Sequence, residues 1–534
     1  MEKVLFFNSY ILFLKAIFLA LIALTIYHYR LLLGLFSKLG KSKIFILLLI
    51  LISAILLRFF IVPHMHHVYY DEFHFLNIAE NMHYHDMHGY TLKGAKMSPE
   101  IVLNSDWRPG GYPFLISRSM NIFGDSQKAA FFLNCFLGGL SALLIFIIAY
   151  LLFENAGIGL WSAFIFSLLP QHLKYSGSAA SDISSLFFVC LGISAVILYF
   201  KSRGNLPLLY AGGLIVLFAG YIRPENIILF FFYIAVLFNE FKAGRLRKKE
   251  FFLSFFFFAI ITLPLIKQIP FIIHQEKVSS GGSFWSFAYF LRNIFDNFKY
   301  IFSARFNLSA VSIFSLIGSI ILFRKKTSIF YVLFIWFGFF FFIYTCFFSG
   351  TFSPSATADS ERHFLPCAVP LSLFAAYAIN VVLDYLKKSR LIFFISIIAA
   401  CLMIIANSFF VTKTLIGMTR QRDTFREYAF IKDSLGRLPD NLYILSYDPA
   451  YIISAFSRKA IALDIFFETK DFPRQIILLE GYSWYAHIDQ SMEYERLLKK
   501  IYNFDFSEAE KSGLSLYGKY KFLRLSLREE YGTP

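Results

Sequence analysis

Residues 43–72 read KIFILLLILISAILLRFFIVPHMHHVYYDE. The first part, Lys43 to Val62, is as long and apolar as a bilayer crossing, which takes roughly twenty residues. A few positions later comes a carboxylate pair, Asp71-Glu72. A charge held at a membrane boundary is costly unless a partner or substrate compensates it, so the apolar run sets the fold and the pair is the first candidate for function.

The rest of the chain supports that reading. Of 534 residues, 57% are hydrophobic and 20% aromatic, and 16% are charged, against about a quarter in an ordinary soluble domain. Apolar windows recur at 4–26, 43–62, 128–152, 157–170, 183–200, 206–221, 226–240, 251–271, 308–323, 329–348, 363–382 and 391–411, which predicts an α-helical polytopic membrane protein with about twelve transmembrane helices. The first stretch has no small-residue cleavage site after it and is expected to be retained as a helix or in-plane anchor, so that 1–42 forms an anchor and cytoplasmic linker. From Lys413 onward the chain holds 18 Lys/Arg and 17 Asp/Glu, leaving 33 and 18 before it. Nearly all of the net charge of +16 therefore belongs to the membrane part, where it reports topology and not nucleic-acid binding. Residues 412–534 are expected to form a soluble, extracytoplasmic α/β domain, with strand-like runs at 442–446 and 475–479 and a helix-like run at 492–502. The five cysteines lie in or beside apolar runs, and no disulfide framework or cysteine metal site is indicated.

Short loops rich in Lys and Arg stay cytoplasmic. The clusters at 30–43, 201–203, 242–249, 324–326 and 387–390 all fall on one side under this alternation. The opposite side receives the first large loop, 63–127, the loops 171–182, 272–307 and 349–362, the Arg223-Pro224-Glu225 turn and the tail. Five polar features collect there. Asp71-Glu72 opens a short amphipathic helix with Phe75, Leu76, Ala79 and Met82 on one side, suited to lying flat on the membrane. A carboxylate held there can act as a general base, although Asp is also a favoured helix cap. The segment Asp106-Trp107-Arg108-Pro109-Gly110-Gly111-Tyr112-Pro113 offers Arg108 as a phosphate clamp or as a snorkelling interfacial cation. Asp182 ends a small-residue segment at a helix mouth and Arg223-Pro224-Glu225 joins two short helices; both suit sugar or acceptor positioning, or a cap and a local ion pair. Arg362-His363-Phe364-Leu365-Pro366 leads into a late span, where an anion at the helix entrance would relieve the conflict between the cations and the helix dipole, or where the cations are simple anchors.

Seven of the twelve histidines lie in the first large loop. Of these, His64, His66, His67, His83 and His85 are the candidates for a divalent metal; no metal-ligand spacing is present, so a metal is admitted but not predicted, and no cofactor is required.

In this order and on one face, the five features resemble the GT-C glycosyltransferase superfamily, in particular the branch of protein O-mannosyltransferases and lipid A aminoarabinose transferases. That family has an acidic pair in its first outer loop, a basic-Pro-x-x-Tyr-Pro segment, a small-residue segment ending in Asp, an Arg-Pro-Glu turn and an Arg-Tyr-x-x-Pro helix entrance. The resemblance covers 43–411, the expected catalytic domain; His363 stands where Tyr is usual and Arg108 where Lys is frequent. It implies transfer of a sugar from a polyprenyl-phosphate donor to an acceptor hydroxyl on a lipid, glycan or protein, outside a plasma (inner) membrane. Asp71 would be the base of an inverting transfer, with Glu72 sharing or assisting that role. Arg108, Arg362 and His363 would hold the donor phosphate, and Asp182, Arg223, Glu225 and Tyr112 would position sugar or acceptor. Two alternatives fit the composition, a twelve-span secondary transporter and a lipid-linked polysaccharide ligase or polymerase; the gathering of polar groups at one interface disfavours the first.

Overall fold

The structure is a computed structural model that describes residues 2–104, 108–202, 205–280, 286–346, 360–387, 389–421, 423–469, 473–481, 496–505 and 520–529. Asp106, Trp107 and most of the loop 349–362 lie outside these residues, as does part of the helix-like run 492–502.

The protein is multi-pass and mostly helical. Among the described residues, eight helices are long and apolar enough to cross a membrane: Lys41–Ile61, Ser126–Phe153, Asp182–Lys201, Pro224–Lys242, Lys248–Gln268, Thr327–Thr345, Glu361–Leu386 and Leu391–Arg420. A ninth is formed if Ala156–Ser167 and Pro170–Ser176, bent by 60°, are one span. Two of the other three expected windows fall on shorter apolar helices, Ile11–Ala23 within Glu2–Ser37 and Leu206–Ile222, and the third on the 17-residue helix Ser309–Lys325. Leu206–Ile222 is apolar all round because protein surrounds it, with Leu209, Leu217, Phe218 and Tyr221 buried.

The first span ends in a π-helical turn, Leu57–Ile61, closed by Val62 N–H donating to Leu57 O at 3.0 Å. Inside it lies Arg58, a fully buried cation in what reads as an apolar run. Its guanidinium donates to Ala54 O (2.8 Å), Ser167 O (3.0 Å) and Ser176 Oγ (3.2 Å) and meets His172 Nδ1 at 2.8 Å. Arg58 thereby ties the first span to both arms of the bent pair, which makes its burial tolerable.

Seven strands form one sheet: β1 (Gly89–Ala95), β2 (Ser98–Asn104), β3 (Tyr443–Ser446), β4 (Ala460–Ala462), β5 (Gln475–Gly481), β6 (Tyr502–Asp505) and β7 (Tyr520–Leu527), in the order β2-β1-β4-β3-β5-β7-β6. The runs at 442–446 and 475–479 are the central strands β3 and β5, paired parallel. Both faces of these strands are covered: Leu445, Ile476 and Leu478 pack with Phe466 on one side, Ile444 and Ile477 with Ile452 on the other. The β1–β2 hairpin comes from the loop before the second span and joins through the antiparallel pairs Lys93↔Ile461 and Gly94↔Ala460. One sheet is thus shared by segments some 370 residues apart.

The helix bearing the carboxylate pair, Tyr69–Tyr84, does not lie flat on a membrane surface. Phe75, Leu76, Ala79 and Met82 are buried as expected, but so is the opposite side. There Asn77 Oδ1 accepts Thr91 N–H (2.7 Å), Asn81 donates to Gly89 O (2.8 Å), and His74 Nε2 meets Asp448 Oδ1 (3.0 Å). Glu80 accepts from the Ser126 and Ser454 hydroxyls and pairs with Lys96 (2.8 Å). The polar side found protein partners from β1 and from the helix Pro449–Phe456 where an interfacial helix would face water.

A candidate active site

Local backbone physics aims each candidate cation. Arg223 ends Leu206–Ile222; because Pro224 follows, its backbone is extended (φ −141°, ψ 119°) and the chain turns sharply into Pro224–Asn226. Asn226 pins that turn by donating to Ser185 Oγ (2.7 Å) and Ala219 O (3.1 Å). Arg108 precedes a Pro-Gly-Gly bend into the helix Gly111–Phe123. A Cβ on Gly111 would lie 2.6 Å from the Tyr221 carbonyl group, so only glycine allows that helix to approach the end of Leu206–Ile222 so closely. Arg362 lies in the 3-10 turn Ser360–Phe364, where Pro366 starts the next helix. Asp182 is the first residue of its span; the segment before it is held by Asn134, which donates to Ser178 O and Ala180 O, both at 2.8 Å.

These side chains form one chain of alternating charge. Arg108 pairs with Asp71 Oδ1, and Arg362 donates to Asp71 Oδ2 at 2.6 Å. Arg362 also lies 3.6 Å from Asp182 Oδ2, while Arg223 takes Asp182 Oδ1. Arg223 then closes on Glu225 at 2.6 and 2.7 Å. The order is Arg108, Asp71, Arg362, Asp182, Arg223, Glu225: three cations and three carboxylates from five separate segments. Asp182 is almost fully buried, and the others keep between 11% and 21% of side-chain exposure, so the row is mostly withdrawn from solvent along its whole length. Burial alone would raise the Asp71 carboxyl, yet the Arg108 and Arg362 guanidiniums hold it well below the usual carboxylate range. The Arg108 guanidinium also sits over the Phe75 ring, 5.4 Å from its centroid.

Asp71 is not the helix N-cap. Val68 takes that position and Asp71 lies in the first turn, free to point at the two arginines. Glu72 points elsewhere: its Oε1 accepts the backbone N–H groups of His67 and Val68 (both 2.9 Å), and its Oε2 accepts Ala179 N–H (3.2 Å) and pairs with His66 Nδ1. It fastens the loop in front of Asp71. Tyr112 is buried, with its hydroxyl donating to Ala179 O (2.9 Å) and accepting from Asn134 (2.9 Å), so it supports the segment before Asp182 and does not join the charged row. His363 packs its ring on Tyr344 (5.5 Å), whose hydroxyl donates to Glu225 at 3.4 Å.

The other histidines disperse. His64 lies against Cys135 and Phe131, His67 against Tyr175, His83 beside Ser117 O and His85 at the helix end. Among the described residues no three His, Cys, Asp or Glu side chains converge as metal ligands.

A second polar group adjoins the row and escaped sequence reasoning. Gln171 donates to Tyr300 OH (2.7 Å) and Glu361 (2.8 Å), and buried Lys174 lies 3.8 Å from the same carboxylate, next to Arg362 in sequence. The signal was Gln171-His172-Leu173-Lys174, three polar residues between two apolar windows.

Residues 108–267 match the dolichyl-phosphate-mannose-protein mannosyltransferase family. The fold is similar to that of ArnT from Cupriavidus metallidurans bound to undecaprenyl phosphate, with a TM-score of 0.60 at 10% identity, covering 93% of this chain and 100% of that one. The chain has the fold of the GT-C glycosyltransferases. A further GT-C likeness is to the archaeal oligosaccharyltransferase AglB from Archaeoglobus fulgidus in complex with an inhibitory peptide and a dolichol-phosphate: TM-score 0.50, 13% identity, 93% of this chain and 75% of that one. The apo oligosaccharyltransferase of the same organism scores 0.49 at 14% identity; the match covers 80% of this chain and 65% of that one, so the chain spans less than two thirds of its length. No curated protein matches the sequence. Within the superfamily fold, the matched segment 108–267 carries Arg108, Asp182, Arg223 and Glu225, four of the six charges in the row.

Proposed function

We propose that the protein transfers a sugar from a polyprenyl-phosphate donor to an acceptor hydroxyl, with inversion, at the charged row. The observation that carries this reading is the Asp71 carboxylate, whose two oxygens are each held by a different guanidinium. Two converging arginines suit a phosphate, whose oxygens match their geometry and whose negative charge grows as the donor diester becomes the leaving monoester. A donor phosphate that takes Arg108 and Arg362 sets Asp71 free beside the sugar.

In the step so assigned, the acceptor oxygen bonds to the anomeric carbon as the bond from that carbon to the phosphate oxygen breaks. The acceptor proton passes to Asp71 and the polyprenyl phosphate leaves as an anion held by Arg108 and Arg362. The leaving group needs no proton, so one carboxylate suffices. Asp182 orients Arg362 and Arg223, and Glu225 with His363 bounds the sugar. Glu72 serves as a brace for the loop 66–68 in place of a shared base. No cofactor takes part in this step. Positive-inside charge supports a site on the extracytoplasmic face of a plasma (inner) membrane, with 43–411 as the catalytic domain, about twelve helices spanning or entering the bilayer, and 412–534 on the same face.

The test is mass spectrometry of lipids, glycans and envelope proteins from cells with the wild-type chain, with Asp71→Asn, and without the gene. A single-sugar mass present only with the wild type supports transfer and names the sugar and acceptor class. Identical profiles in all three would remove the reading.

A further inference from the structure

A groove of about 410 Å³ lies between the end of the first span and the last span, away from the charged row. Its wall changes character along its length. At one end Leu57, Ile61, Leu173 and Phe409 offer only hydrocarbon. Towards the sheet, the helix Leu391–Arg420 adds Thr412, Lys413 and Arg420. At about 1.5 Å per residue this helix of 30 residues is about 45 Å long, whereas a hydrocarbon core is about 30 Å thick. Roughly twenty residues from Leu391 exhaust the core, and Lys413 and Arg420 follow at headgroup depth. The facing wall agrees, because the first span ends at Ile61 and Val62 and Pro63 line the same level.

Lys413 and Arg420 are two helical turns apart on one face, and between them Gly417 has nothing within 4 Å of where a Cβ would be, so the wall there is open. Neither cation has a carboxylate partner among the described residues. Thr412 lines the groove, is 8% exposed, and has a hydroxyl with no hydrogen-bond partner. The last span needs a packing partner: 11% of its apolar window is buried against protein.

We propose that this groove is a binding site for an anionic glycerophospholipid of the surrounding bilayer. One acyl chain runs past Phe409, Ile61 and Leu57; the phosphate sits between Lys413 and Arg420 over Gly417, and the Thr412 hydroxyl donates to a phosphate or ester oxygen. The short helix Pro170–Ser176 separates this site from the charged row, with Leu173 on the groove and Gln171 and Lys174 on Glu361. The lipid braces the last span, which leads into the sheet, and the site does not depend on the transferase reading.

The test is native mass spectrometry of the purified full chain offered equal amounts of phosphatidylglycerol and phosphatidylcholine with the same acyl chains. The expected result is about tenfold preferential retention of phosphatidylglycerol, a 1.4 kcal/mol difference, lost in the Lys413→Gln/Arg420→Gln double variant. Both side chains are exposed, so their replacement leaves the fold intact. In the wild type, a photoactivatable phosphatidylglycerol should crosslink within 409–420. Equal retention of the two lipids, an unchanged preference in the double variant, or crosslinks confined to other spans would overturn the proposal. Displacement of phosphatidylglycerol by undecaprenyl phosphate would also overturn it, by making the groove a polyprenyl site.

Discussion

Asp71 and Arg362, 291 positions apart in sequence, meet at 2.6 Å, and the second oxygen of the same carboxylate is taken by Arg108. The group proposed as the base thus occupies, in this state, the cations proposed for the donor phosphate. Binding and base release become one event. Asp71→Asn removes the base and also leaves two guanidiniums without their counter-charge. Transfer should fall by about 10²–10⁴, while donor-lipid binding holds or tightens. Turnover in membranes and lipid retention on the purified variant measure the two effects, and near-normal turnover would take Asp71 out of the base role.

The same coupling sets a pH signature. The two arginines hold the Asp71 carboxyl well below the usual carboxylate range, so in the free protein it is ionised at all physiological pH. Its contribution to stability is present above the unfolded value of about 3.9 and is lost as pH falls from there towards its depressed folded value. Once phosphate takes the arginines, burial dominates and the carboxyl rises. Because kcat/KM reports the free enzyme and kcat the complex, kcat/KM should stay flat on the acid side to pH ~5 while kcat develops an acid limb above it. Rate profiles from pH 5 to 8 with saturating and limiting donor decide this; an acid limb of equal position in both would mean that Asp71 is not released.

Arg362 and Arg108 should not tolerate lysine equally. Arg362 reaches Asp71 with one guanidinium nitrogen and Asp182 with another, and a single ammonium cannot span both. Arg108 reaches Asp71 with one guanidinium nitrogen and stands where Lys is frequent in GT-C sequences. Arg108→Lys should keep transfer within about tenfold and Arg362→Lys should lose about a hundredfold, differences of roughly 1.4 and 2.8 kcal/mol in the barrier. Initial rates at saturating donor separate the two.

Eight of the twelve apolar windows fall on helices long and apolar enough to span a membrane because hydropathy over twenty residues is a local property, and β3 and β5 were visible for the same reason. Asp71, Arg108, Asp182, Arg223, Glu225 and Arg362 could be named from motif order, but their alternating row depends on pairings across up to 291 positions that no local pattern encodes. Glu72 looked equivalent to Asp71; one step round a helix turned it to the backbone of 67, 68 and 179. Arg58 was hidden by its apolar neighbours. The burial of Tyr69–Tyr84 was not legible either, since its amphipathic pattern suits a membrane surface as well as a polar protein face.

That burial supplies a last expectation, about how the sheet acts on the charged row. Asp71 lies one turn ahead of His74, which meets Asp448, and Glu80 on the same helix receives the Ser454 hydroxyl at 2.7 Å. Gln127 adds bonds to Ser454 O (3.1 Å) and Ala455 O (3.3 Å), and Phe73 packs on Tyr451 at 5.0 Å. The helix Pro449–Phe456 therefore fixes the depth and rotation of the Asp71 helix, and slight misplacement of a reacting group costs up to a hundredfold in rate. Glu80→Gln leaves the Lys96 ammonium only the longer contact with Asp125 at 3.6 Å and forces an amide donor against two hydroxyls and a cation, a loss of about 1–3 kcal/mol. Glu80→Gln and Asp448→Ala should each lower the unfolding temperature and reduce kcat by tenfold to a hundredfold, with donor KM changed little because Arg108 and Arg362 lie on other segments. Glu154→Gln, which breaks the exposed pair with Lys201, is the control and should change neither. A raised KM with normal kcat in Glu80→Gln would mean that the sheet supports donor binding and not the placement of Asp71.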